Sequence, residues 1–139
     1  MRRGKDPKTE FAVLLLRLWL GLNLAFAHGL DKFRDPDTFL AGGLVQRFPW
    51  PDTLGWVAIL SEFVGGLLLT FGLLTRTAAS FLLATMLGAA LVALAGEPWG
   101  QRELAFGYAL GLVLLLLLGP GALSLDGAIE KRRRSRSPW

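Results

Sequence analysis

The side chains best suited to chemistry in this chain sit where hydrocarbon is expected. Glu62 lies within an apolar run, Leu54 to Leu74, whose middle reads Ser61-Glu62-Phe63-Val64-Gly65-Gly66. A transmembrane helix needs about 20 apolar residues at roughly 1.5 Å each, so Glu62 falls roughly 12 Å below the surface where that run begins. An ionisable group at that depth costs on the order of 2.5–3.5 kcal/mol on insertion scales, so it faces the protein interior and has a partner. The polar groups that can join it are Arg17, His28 and Lys32 in the first apolar block and Glu103 and Tyr108 in the last. Such a set can donate hydrogen bonds and relay protons.

Long apolar blocks position these residues. Of 139 residues, 53% are hydrophobic, and the mean hydropathy is +0.46. The apolar residues come in blocks, not in amphipathic or alternating patterns, which marks a polytopic membrane protein of one domain. The absence of cysteine excludes disulfides, thiolate metal sites and an internal thiol relay. A single histidine leaves no histidine-rich metal centre. The net charge of +4 comes from basic residues near the two chain ends, which membrane topology explains without nucleic acid.

The first span is expected over 11–30. Ala25-Phe26-Ala27 has the form of a signal-peptidase site, but the apolar region is too long for a signal peptide and contains Arg17. Residues 31–53 form an extracytoplasmic connection in which Asp35-Pro36 caps a short interfacial helix. Phe39, Leu40, Leu44 and Phe48 share its apolar face, and the segment is long enough to serve as a lid over a cavity. Trp50, between two prolines, suits the aromatic belt. The second span, 54–74, is capped by Asp52 or Thr53, and a tight turn follows at Leu74 to Thr77. The third span covers 78–95 and the fourth 103–118, which stops at Gly119-Pro120-Gly121. Ser124 to Asp126 caps a last short helix entering the basic tail, 127–139.

Lysine and arginine set the orientation. Arg2, Arg3, Lys5, Lys8, Arg76, Lys131, Arg132, Arg133, Arg134 and Arg136 fall on one side, against Lys32, Arg34, Arg47 and Arg102 on the other. This imbalance puts both termini in the cytoplasm. The fold class expected is all-α, an integral membrane four-helix bundle running up-down-up-down. Gly55, Ala58, Glu62, Gly65, Leu69, Gly72 and Arg76 make one mostly small face that lets another helix approach. Arg17, Gly21, Leu24 and His28 form a stripe on the first helix. The vertical gap between Arg17 and Glu62 is roughly 9 Å, which two extended side chains can nearly close. Glu103 then lies near His28 and Lys32 in height, so a polar cluster is expected from the first, second and fourth helices.

Each member also has a plain structural role. Arg17 and Glu62 can be a register-fixing ion pair, and His28 and Lys32 a solvated helix end. Glu103 can be a first-turn acid, Tyr108 a packing aromatic, and Arg76 a topology anchor. Asn23 is expected to bond between helices, and the basic tail to meet anionic headgroups.

Three ordered segments resemble the DoxX family of membrane proteins: Arg17-Leu18-Trp19-Leu20-Gly21 with His28-Gly29-Leu30-Asp31-Lys32-Phe33; Glu62 to Leu69 with Gly72 to Arg76; and Glu103-Leu104-Ala105 with Gly119 to Asp126. The resemblance implies a four-helix inner-membrane protein. It also implies a link to quinone-reducing or oxidative-stress oxidoreductase assemblies, while more distant relatives are receptors and chaperones. The lack of cysteine separates this chain from relatives that handle thiols.

Combined with the polar cluster, the resemblance leads to a membrane subunit of a quinone-linked oxidoreductase, with no cofactor of its own and electrons from a partner. A bound quinone would take hydrogen bonds from His28, Lys32 or Arg17, exchange protons with Glu62 or Glu103, and stack on Tyr108. The alternative is a non-catalytic scaffold or assembly chaperone docking other helices, or a homo-oligomer, through small-residue faces. A transporter lacks the expected inverted repeat and broken helix pair.

Overall fold

A computed structural model describes residues 6–136. Arg2, Arg3 and Lys5, counted above toward one side of the membrane, lie outside them, as does the end of the basic tail. In hydrocarbon the backbone must satisfy itself, so each apolar block coils. The spans are α1, Pro7–Arg34; α3, Pro51–Phe71; α4, Thr75–Ala93; and α5, Trp99–Leu118. Between the first two lies α2, Pro36–Leu40, and the chain closes with α6, Leu125–Arg136. Among the described residues there is no strand, and these four helices are the ones long and apolar enough to span a bilayer.

α1 packs on α3 and α5, and α4 on α3 and α5, which closes a four-membered ring. Leu20, Leu24, Leu69, Leu82, Leu112 and Leu115 fill its centre. Leu15, Phe26, Leu60, Leu91, Leu110 and Leu117 point outward. An apolar belt of that extent is an aggregation hazard in water and the required surface in lipid.

Helix ends differ from expectation where the backbone has stronger signals than composition. Asp35 is extended (φ −132°) ahead of Pro36 and stops α1, while its carboxylate accepts from Thr38 N at 3.2 Å. Neither Asp52 nor Thr53 caps the second span. Helix α3 starts at Pro51, with Trp50 at the cap position in the left-handed conformation (φ 51°), a strain of about 1–2 kcal/mol for a residue with a Cβ. The next turn lies at Gly72 to Leu74, not Leu74 to Thr77. Gly72 (φ 68°) ends α3 with bonds from Leu73 N to Leu68 O and from Gly72 N to Leu69 O, a Schellman end.

Three spans contain wide, π-helical turns: Asn23–Gly29 in α1, Ser61–Gly65 in α3 and Ala89–Ala93 in α4. Where the first two meet, the backbones nearly touch. A Cβ on Gly29 would lie 2.6 Å from Phe63 N, and one on Gly66 2.7 Å from Ala25 N. Gly66, not Gly65, therefore faces α1; Gly65 faces Leu82 of α4. The small residues singled out in the sequence thus serve contacts within the bundle. Asn23 stays within its own helix, donating to Trp19 O at 2.8 Å.

Candidate functional site

The lid segment lies over the seam between α3 and α4. Gly55 makes room for it: a Cβ there would sit 2.2 Å from the Leu40 side chain. At Gly88 the Phe48 ring lies 3.4 Å from the ideal Cβ position, an ordinary contact distance. Arg47 then ties the lid down. Its guanidinium donates to Ala93 O at 2.7 Å and Ala95 O at 3.2 Å, and lies 3.5 Å from Glu97. These carbonyls end α4, where the helix dipole favours a cation. Replacing Arg47 with alanine is expected to raise amide exchange across residues 36–48 about tenfold, the worth of one such bond, while α4 and α5 stay protected. Unchanged lid exchange would show that Arg47 does not hold it.

Under the lid is a cavity of about 290 Å³ between α3, α4 and the lid. Phe39, Leu44, Val45 and Phe48 form its roof; Val57, Ala58, Ala84 and Gly88 are among its walls. One end is charged. Lys32 Nζ lies 2.6 Å from Glu62 Oε2, and the side chains are 27% and 3% exposed. The ammonium also sits 4.8 Å from the centre of the Phe39 ring, a cation–π contact that links the pair to the lid. Thr85 adds a hydroxyl, bonded to Ser61 Oγ at 2.6 Å.

Of the other residues singled out in the sequence, two meet each other outside this cavity. His28 Nε2 is 3.3 Å from Tyr108 Oη, the rings meet edge to face, and Trp19 stacks on Tyr108 at 5.4 Å. Arg17 is not the partner of Glu62. It is 2% exposed and donates to Thr70 O at 3.0 Å, Leu69 O at 3.5 Å and Leu123 O, joining the end of α3 to the segment after α5. Glu103 is exposed and has no side-chain partner among the described residues. The expected single cluster is therefore split, because α5 lies across the bundle from the cavity and α4 lines it instead.

Sequence reasoning gave Arg47 a role in topology alone; no local pattern reveals a contact with a helix end so far along the chain. It placed Asp126 only at the cap of the last helix, whereas the carboxylate accepts from Leu74 N and Thr75 N at 2.9 and 2.8 Å and so caps α4. Ser124 caps α6 as expected, accepting from Gly127 N at 3.0 Å.

The sequence model of the DoxX family matches residues 12–95. This chain belongs to the DoxX family. It is 31% identical over 130 residues to "Putative oxidoreductase CatD" of Bacillus subtilis, covering 91% of this chain and 92% of that protein. It is 35% identical to "Uncharacterized membrane protein Rv3486" of Mycobacterium tuberculosis, covering 87% and 83%. A shorter match, 39% identical over 55% of this chain and 62% of the other, is to "Inner membrane protein YqjF" of Escherichia coli. No solved structure matches. Every residue that lines the cavity falls inside the DoxX segment, whereas Glu103 and Tyr108 fall beyond it.

Proposed function

We propose that this DoxX protein is a plasma-membrane subunit of a quinone-linked oxidoreductase assembly, with both termini in the cytoplasm and a quinone ring bound beneath the lid. One observation carries the reading: an apolar cavity with a single charged end, Lys32 paired to Glu62. Ligand pockets run from about 300 to 1,000 Å³ with a few placed polar groups, so this one suits a substituted ring. Reduction of a quinone to its quinol takes up two electrons and two protons. Lys32 donates a hydrogen bond to one carbonyl oxygen, and Glu62 holds and passes a proton there. The chain, with no cysteine and one histidine, offers no thiolate cluster and no bis-histidine haem ligation, so a partner subunit supplies the electrons. The name of the Bacillus relative is in keeping with such an assembly.

The test is quinone binding to purified protein in nanodiscs. Wild type is expected to bind, and Lys32→Met to bind about tenfold or more weakly, as loss of its charge-assisted bond to the quinone carbonyl predicts. Absence of binding by wild type refutes the reading.

A further inference from the structure

A second hollow lies next to the cavity along the outside of the α3–α4 seam, with a volume of about 410 Å³. Val57 and Phe81 border both spaces, so only these side chains stand between the hollow and the cavity. Ser61, Gly65 and Ala78 line it together with Leu60, Val64 and Leu68. Its polar side chains are Ser61 and Thr77, and the Ser61 hydroxyl is already engaged with Ala58 O and Thr85. The two spaces are therefore neighbours along one seam and differ in polarity, charged at Lys32–Glu62 in the first and almost wholly apolar in the second.

Resting on the quinone reading, we infer that this groove holds the hydrocarbon tail of the ligand whose ring fills the cavity, with Phe81 at the bend between them. The ligand class is then a long-tailed quinone that enters sideways from the bilayer. The cavity alone is too small for a tail, and the lid is held down by Arg47 and by Phe48 against Gly88. The neighbouring hollow along α3 and α4 is thus the exit the tail takes. From Val57 to Leu68 the helix rises about 16 Å, and an apolar chain along it gains contact without needing polar partners.

The experiment compares a tailless dimethoxy-methyl-benzoquinone with the same ring bearing a decyl chain, in nanodiscs. It uses wild type, Thr77→Phe and Val64→Trp. Both positions are exposed on the bundle surface, so the substitutions fill the groove without entering the core. The decyl compound is expected to bind both variants about tenfold more weakly, the worth of roughly two displaced methylenes, while the tailless ring binds as to wild type. Taking the ratio of the two probes in each protein cancels the tail's own partition into lipid. If both probes bind all three proteins alike, or both weaken equally, the groove is not the tail site, although the ring site stands. If neither binds wild type, the ring reading fails and this inference with it. A photoreactive group at the chain end supports the assignment by labelling residues 64–77, and overturns it by labelling α5 or the lid.

Discussion

Replacing Arg17 with methionine is expected to destabilise the protein by about 3 kcal/mol or more. The guanidinium is buried between the last carbonyls of α3 and Leu123 O. Bonds from a charged donor are worth about 1.5–3 kcal/mol each, and their loss leaves carbonyl groups unpaired where no water replaces them. The cation also complements the negative end of α3. Nearby, Asp126 caps the start of α4, so the two helix ends at this turn each receive the charge their dipole favours. Lysine should restore less than half of the loss, because a single ammonium cannot reach carbonyls lying in two directions. Gly72 is bound to the same geometry: a Cβ there would sit 2.1 Å from Arg17 Nη1. Thermal unfolding of detergent-solubilised variants measures the effect. A midpoint unchanged by Arg17→Met would mean these contacts contribute nothing.

The second large effect concerns the pair in the cavity and is asymmetric. Lys32→Met strands a carboxylate that is 3% exposed, whereas Glu62→Gln strands an ammonium that is 27% exposed and attached to a flexible stem. Breaking a buried pair from one side costs about 3–5 kcal/mol when the remaining charge stays buried. Lys32→Met should approach that range. Glu62→Gln should cost about half as much, because the lysine can snorkel toward water. The double variant is expected to recover most of the loss, giving a coupling of about 3 kcal/mol in a double-mutant cycle. Simple additivity in unfolding measurements would show that the contact carries no energy.

The spans were legible because the requirement behind them is one-dimensional. A bilayer fixes how many apolar residues a helix needs, and the four blocks meet it within a few residues at each end. Asp35-Pro36 and Ser124 were legible for a similar reason, since caps are set by immediate neighbours. Glu62 could also be identified as a group needing a partner. Which partner it has could not be read in this way. Rise per residue gives height along a helix, and on height alone Arg17 came within reach. The wide turns at Asn23–Gly29 and Ser61–Gly65 alter the angular register of each helix, so a stripe drawn at steps of three and four does not keep its face.

What the sequence determined by itself was a membrane bundle of four helices, a lid-length connection and a buried acid requiring company. What only the tertiary structure decided was the pairing. Gly29 and Gly66 let α1 and α3 close to backbone contact, which brings Lys32 to Glu62. Arg17 is taken by the carbonyls at the far end, and Arg47 by the end of α4. Each of these contacts joins residues 30 or more positions apart. Local spacing cannot encode such a contact, because it depends on how whole helices rotate and cross when they pack.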